Sequence, residues 1–329
     1  MMSLLYVLIY ASTLIFLIAS AVRAVHYARL PLHLRWELYP VPHEDPERAK
    51  HGGSYFESTD WWKKPATFNW VGELRSMLPE MLFQKGLWEF NRRMWLSSFP
   101  FHFGLYMVIG STTFLTATAL LALLLPQSVD GGIGLILHYV YAAGWLAGAV
   151  LSVGGALALL VRRLTDEDLR TYTVPADVLN LLFFIVTLGC LTLGYLLRPK
   201  GSPGALSLAQ GLLSFDTSLR VPLVLALGLV LGAVLTAYVP MTHMSHFIAK
   251  YFTYHAVRWD DRPSIPGSVL ERRVAEYLTY RPRWAAPHIG ADGSRTWAEI
   301  ALTNPARQAA PTFRLAGVDT KGITTEGKK

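Results

Sequence analysis

Residues 97–125 read SSFPFHFGLYMVIGSTTFLTATALLALLL, and this stretch decides the fold class. It contains no Asp, Glu, Lys or Arg, yet it carries one histidine, His102, near its start. A helix needs roughly 20 residues to cross a hydrocarbon core about 30 Å thick, so this stretch is long enough to span a membrane. A histidine inside hydrocarbon costs free energy unless it is paired or liganded, and His102 is therefore a candidate functional residue.

Four further stretches are also long enough to span a membrane and also lack charged side chains: residues 3–22, 134–161, 178–197 and 221–248. Only 16% of the whole chain is charged and 52% is hydrophobic, whereas a soluble domain is about 25% charged. Backbone polar groups in lipid must be satisfied within the segment, which favours helices over an open sheet. The sequence therefore predicts an all-α integral membrane protein with five transmembrane helices.

The distribution of positive charge predicts the orientation. Of the 30 Lys and Arg residues, 27 lie in residues 23–96, 162–175 and 250–329. The positive-inside rule then places the N-terminus outside and the C-terminus in the cytoplasm. The first stretch has no basic start, so we interpret it as a retained helix rather than a signal peptide. The net charge of +7 suits anionic lipid, and no nucleic-acid recognition module accompanies it.

Four domains follow from this layout. Residues 1–22 form the first transmembrane helix, and residues 23–97 form a cytoplasmic loop. Within that loop, residues 68–95 show a helical alternation of apolar side chains, which predicts an amphipathic helix on the inner membrane face. Residues 98–249 form a four-helix membrane domain, and residues 250–329 form a cytoplasmic tail that we expect to dock a partner subunit.

Four of the ten histidines are expected near the inner membrane face: His26, His102, His243 and His246. The second and fifth spans run in opposite directions, so the start of one and the end of the other share a leaflet. His102 and His246 could then hold a b-type haem iron from two sides. His243 is three residues from His246 and could lie on the same side of a helix. The alternative is that these histidines only contact lipid headgroups.

The surroundings of this pair favour a haem over zinc. No carboxylate or cysteine joins the histidines at the spacing of zinc ligands, and one cysteine, Cys190, cannot hold an iron–sulfur cluster. Arg92, Arg93 and Lys250 could pair with haem propionates at the interface. Small residues leave room for either a flat macrocycle or close helix packing; they are Gly104, Gly110, Ser111, Gly228, Gly232 and Ala233.

Several segments resemble the gamma subunit of respiratory nitrate reductase. They are FHFG at 101–104, LVRRL at 160–164, RTYTVPADVL at 170–179 and PMTHMSH at 240–246. The resemblance covers roughly residues 97–247. It implies a di-haem b cytochrome that oxidises quinol and passes electrons to a cytoplasmic iron–sulfur protein, with His102 and His246 as ligands of the inner-side haem.

The chain departs from that family at the ligands of the outer-side haem. The family has a second histidine ten residues along the second span, where this chain has Thr112, and another early in the fifth span, where residues 221–225 have none. The resemblance therefore implies one haem b, near the cytoplasm. A second haem would need His138, His26 or His243.

The loop motifs WELYPVPHE at 36–44, GGSY at 52–55 and DWW at 60–62 resemble cytochrome b relatives that partner heterodisulfide-reductase-like iron–sulfur proteins. The main hypothesis is a multi-pass subunit of a bacterial or archaeal cytoplasmic membrane. It would exchange electrons between menaquinone and a heterodisulfide-reductase-like or nitrate-reductase-like partner, with a periplasmic cytochrome c as an alternative donor. The second hypothesis is a haem-free anchor that docks soluble redox subunits. A transporter is disfavoured, because no intramembrane carboxylate is present.

Overall fold

The computed structural model describes residues 2–29, 59–60, 69–253, 266–283 and 291–303. The motifs at 36–44 and 52–55, Trp61, Trp62 and residues 322–329 lie outside these ranges, as do five histidines expected in soluble segments. Those histidines are His33, His43, His51, His255 and His288.

In the described ranges the chain is helical and contains no strand. In chain order the helices are α1 (Met2–Ala28), α2 (Trp70–Phe83), α3 (Lys85–Phe90), α4 (Arg92–Leu124), α5 (Gly131–Thr165), α6 (Glu167–Thr171), α7 (Pro175–Leu196), α8 (Ala205–Ser214), α9 (Leu223–Tyr238), α10 (His246–Thr253), α11 (Val269–Leu278) and α12 (Trp297–Ala301).

Five helices are long and apolar enough to cross a membrane, as the sequence predicts. They are α1, α4, α5, α7 and the segment Leu223–Met241, which consists of α9 and the turn after it. This confirms the predicted all-α architecture with five candidate membrane spans. Helix α1 continues to Ala28, six residues past its predicted end, because Arg23 does not interrupt the helix. Helix α4 begins at Arg92, where the Asn91 side chain accepts a hydrogen bond from the Met94 amide.

The predicted fifth span, residues 221–248, is wrong at its end. Helix α9 stops at Tyr238, and two 3-10 turns, Val239–Met241 and His243–Ser245, precede α10. Pro240 has no amide proton for a helical hydrogen bond, and Thr242 takes an extended conformation with ψ −179°. The Thr242 hydroxyl accepts a hydrogen bond from the Met244 amide, which begins the second turn. His246 therefore lies outside α9, after the two turns.

The predicted amphipathic helix over residues 68–95 is also divided. Helix α2 ends at Phe83, and Gln84 takes the left-handed conformation with φ 53° before α3 begins. The Glu80 carboxylate accepts a hydrogen bond of 2.7 Å from the Gly86 amide, which stabilises this turn. The break turns the chain, so that α2 lies beside the first turns of α4: the Tyr106 hydroxyl donates to the Met81 carbonyl over 3.0 Å.

The long helices pack in the order α4, α5, α7, α9 and α1. Small residues bring these helices together. A Cβ atom on Gly104 would lie 2.5 Å from the Gly148 carbonyl oxygen of α5, and one on Gly228 would lie 2.7 Å from the Leu191 amide of α7. These two glycines therefore serve close helix packing, whereas a Cβ on Gly110 would meet nothing within 4 Å.

The bundle has two distinct ends. We call the end that carries Arg93, Arg163 and Lys250 the basic end, and the other the N-terminal end. At the N-terminal end, α8 packs on α4, and the residue pair after it reaches α1, where the Tyr6 hydroxyl donates to the Asp216 carbonyl over 2.9 Å. A hydrophobic cluster joins the start of α1 to the start of α9; its buried members are Met2, Leu5, Tyr6, Val221 and Leu225.

Candidate functional site

The structure brings His102 and His246 together at the basic end. The centroids of their imidazole rings are 5.9 Å apart, and the ring planes meet at 74°. His102 belongs to the third turn of α4, and His246 is the first residue of α10. Since α5 and α7 lie between α4 and α9 in the packing order, the pair joins parts of the chain that are not neighbours in that order.

Backbone carbonyls engage the same nitrogen of both histidines. The Nδ1 atom of His102 lies 2.8 Å from the Ser98 carbonyl oxygen, and Nδ1 of His246 lies 3.4 Å from the His243 carbonyl oxygen. A carbonyl only accepts, so each contact requires the proton on Nδ1. The lone pair of each Nε2 is then available to a metal, the arrangement found in most metal-binding histidines.

The separation of the rings fits one metal ion between them. An imidazole nitrogen lies about 2 Å from a bound transition metal, so two nitrogens on opposite sides of one ion are about 4 Å apart. Ring centroids lie behind those nitrogens, which agrees with the observed 5.9 Å. Burial lowers the pKa of His246, which favours the neutral imidazole that binds metals. The donor set therefore suits a bis-histidine haem iron.

His243 points to α7 instead of to His102. Its Nε2 atom lies 3.3 Å from Asp177 Oδ1 and 3.4 Å from Asn180 Nδ2. The sequence suggested that His243 and His246 share one side of a helix, but the 3-10 turn at His243–Ser245 separates their directions. His246 is thus the member of this pair that faces His102.

Two of the three basic residues proposed for propionates contact other side chains of this protein. The Arg92 guanidinium stacks 4.7 Å over the ring of Trp88. The Lys250 ammonium lies 3.1 Å from Glu80 Oε1, which links α10 to α2. Arg93 is exposed at the start of α4. All three nevertheless lie at the end of the bundle where His102 and His246 meet.

The two remaining histidines of interest lie apart from this pair. His138 is near the start of α5, at the N-terminal end, and its Nδ1 atom is 2.8 Å from the Tyr141 hydroxyl. His26 is near the end of α1, and its ring contacts that of Tyr27 at 6.0 Å between centroids. The structure therefore pairs neither of them with His102 or His246.

Sequence reasoning missed the polar cluster around His243. Asp177 Oδ2 accepts a hydrogen bond of 3.1 Å from Arg163, and Asn180 Oδ1 accepts one of 3.0 Å from the Tyr238 hydroxyl. Asn180 is 5% exposed, so its amide is a buried polar group that needs these partners. An asparagine inside the apolar stretch 178–197 was the available signal, since polar side chains within a membrane span are seldom without a function.

The comparisons with known proteins agree with the resemblance. The family model described as nitrate reductase gamma subunit matches residues 87–260. No curated protein and no solved structure matches the chain. The family match spans more than half of the chain and includes both histidines of the facing pair. The chain therefore belongs to the nitrate reductase gamma subunit family, membrane-integral cytochrome b subunits that act in quinol-linked electron transfer.

Proposed function

We propose that this chain is the cytochrome b subunit of a respiratory redox complex, and that His102 and His246 are the axial ligands of a haem b iron. The observation that carries the proposal is the facing pair itself, with both Nδ1 atoms engaged by carbonyls. The haem would supply one-electron redox chemistry. The chain would bind the iron through Nε2 of each histidine and fix the ring orientations through Ser98 and His243.

We further propose a single haem, at the basic end. Towards the N-terminal end, the family's ligand position in α4 is Thr112, which has no side-chain nitrogen. Its hydroxyl donates to the Val108 carbonyl within its own helix. Val221 and Leu225 are buried against α1. A Cβ on Gly194 would lie 2.6 Å from the Leu225 amide, so α7 and α9 touch there. Neither family position offers a metal-binding nitrogen, and this supports one haem.

The positive charge at the basic end also gives the expected orientation of the subunit in the membrane. The positive-inside rule places the basic end in the cytoplasm. An electron would then pass between the quinone pool, which we expect to be menaquinone, and a cytoplasmic iron–sulfur partner docked close to the histidine pair. The loop motifs at 36–44 and 52–55 favour a heterodisulfide-reductase-like partner over a nitrate-reductase-like one. A periplasmic cytochrome c remains the alternative source of electrons.

The haem content of the purified chain tests the proposal. A pyridine haemochrome assay should give one haem b per polypeptide, and the oxidised protein should show a low-spin spectrum. A colourless preparation, from cells that supply haem to other cytochromes, would contradict the proposal and leave the haem-free anchor. Two haems per polypeptide would contradict the single-haem proposal and direct attention to His138, His26 and His243.

A further inference from the structure

The turns that lead from α9 to His246 reach α7 through the His243 side chain. Residues 239–245 form two short turns between α9 and α10, so α9 does not continue as a helix to His246. His246 begins α10, which packs on α1, and the contacts of His243 hold the turn just before it. Its Nε2 atom lies beside Asp177 and Asn180 of α7, and its carbonyl oxygen faces His246 Nδ1.

Asp177 is itself held in place from two sides. Its Oδ2 atom accepts hydrogen bonds of 3.1 Å from the Arg163 guanidinium and 3.1 Å from the Val174 amide at the start of α7. Arg163 also donates to the Thr173 hydroxyl over 3.3 Å. The Asp177 side chain is 13% exposed, whereas that of His243 is 61% exposed. The carboxylate is therefore the fixed partner, and it locates the more exposed imidazole.

The contact between His246 Nδ1 and the His243 carbonyl links these groups to the orientation of His246. The His246 Nδ1 to His243 carbonyl distance of 3.4 Å is longer than the corresponding 2.8 Å at His102. A small movement of residue 243 would thus break the bond at His246, while the bond at His102 lies within α4. Such partners of metal-bound histidines fix the ring direction and raise the basicity of the ligand.

We propose that Asp177 and His243 are positioning residues that set the orientation of His246 and, through it, the redox potential of the iron. This inference rests on the haem ligation proposed above. A more basic imidazole stabilises ferric iron, so loss of the Nδ1 contact raises the midpoint potential. The ferric electron paramagnetic resonance signal changes as well, because it depends on the angle between the two imidazole planes.

Two variants remove the link from opposite sides. Asp177→Asn keeps an oxygen that can accept from the Val174 amide but removes the charge facing His243, and His243→Gln leaves α7 unchanged. Each should retain one haem by pyridine haemochrome, raise the midpoint potential and shift the ferric resonance signal. The matched control is Asp166→Asn, which removes the 3.2 Å ion pair with Arg162 at the end of α5. This control should leave the potential and the signal as in the wild type.

The double variant separates positioning from a general loss of stability. If Asp177 acts through His243, the potential shift of Asp177→Asn/His243→Gln equals the larger single shift instead of the sum. Additive shifts, or single variants with the wild-type potential and signal, would overturn the inference. Should Asp177→Asn fail to accumulate, His243→Gln decides alone. A wild-type protein without haem refutes the proposed function, whereas a haem-bearing wild type with unaltered variants refutes only this inference.

Discussion

At His102 the important interaction is local, because the ring is bonded to the carbonyl four residues earlier in the same helix. The sequence alone identified His102 and His246 as candidates, since a histidine in an apolar stretch is costly unless it is used. Position alone left His243 open as an alternative to His246, and the family resemblance favoured His246. The geometry that turns His243 away from His102 depends on a break in the chain and on the contact of His243 with Asp177, which joins residues far apart in the sequence.

Alanine variants test the two ligands. His102→Ala and His246→Ala should each abolish the low-spin bis-imidazole spectrum, because the iron loses an axial nitrogen. His138→Ala should keep it, since His138 contacts Tyr141 at the N-terminal end of the bundle. The spectra of purified protein, recorded at equal polypeptide concentration, decide the matter. A low-spin spectrum that survives His246→Ala and disappears in His243→Ala would show that the wrong member of the pair was chosen.

At the scale of helices, the sequence predicted four of the five spans closely and the fifth only in part. Apolar length predicts where a helix crosses hydrocarbon, but it does not register a proline near the end of a span, and Pro240 ends α9. The roles of the small residues also needed the structure. Gly104 lies against α5 and Gly110 faces open space, although both are glycines of the same helix.

This difference between two glycines gives a matched experiment on helix packing. Gly104→Ala should destabilise the bundle by about 1–3 kcal/mol, because the new methyl group meets the backbone of α5. Gly110→Ala should have little effect or stabilise the helix slightly, since nothing lies within 4 Å. Thermal unfolding in detergent, followed by circular dichroism, measures both. Equal melting temperatures for the two variants would contradict the close packing of α4 on α5.

Helix α2 gives a second test at this scale. Its apolar side chains Leu74 and Leu78 are exposed, and its end is bonded to α4 through the Met81 and Phe83 carbonyls. We therefore expect α2 to lie in the membrane interface, as the domain layout proposes.

Spin labels on the two faces of α2 measure its depth. In a Cys190→Ala background, a label at Leu78→Cys should be more accessible to dissolved oxygen than to a water-soluble nickel complex. A label at Gly72→Cys should show the reverse, because position 72 lies on the side of the helix away from Leu74 and Leu78. Equal accessibility at both positions would place α2 in water or within protein rather than at a lipid surface.

At the scale of the whole molecule, the candidate site and the ends of the helices that lead into the loop and the tail lie together. The proposed haem ligands, the end of α2 and the ends of α1 and α10 all occur at the basic end, while the start of α1, α8 and the start of α9 occur at the N-terminal end. Composition and charge distribution predicted this division without the structure. The family resemblance then supplied the chemistry, because composition distinguishes neither a cytochrome from an anchor nor one haem from two.

The separation of ligands from tail leads to the last prediction. Both proposed ligands precede residue 256, so deletion of residues 256–329 should leave the haem stoichiometry and the low-spin spectrum unchanged. The deletion should weaken attachment of the cytoplasmic iron–sulfur subunit, because the tail follows directly after α10, which begins at His246, and is expected to dock that partner. Co-purification from membranes, with the haem of each preparation measured, reports both effects together. Loss of haem with the partner still bound would contradict the prediction, because it would assign haem retention to the tail and partner docking to the bundle.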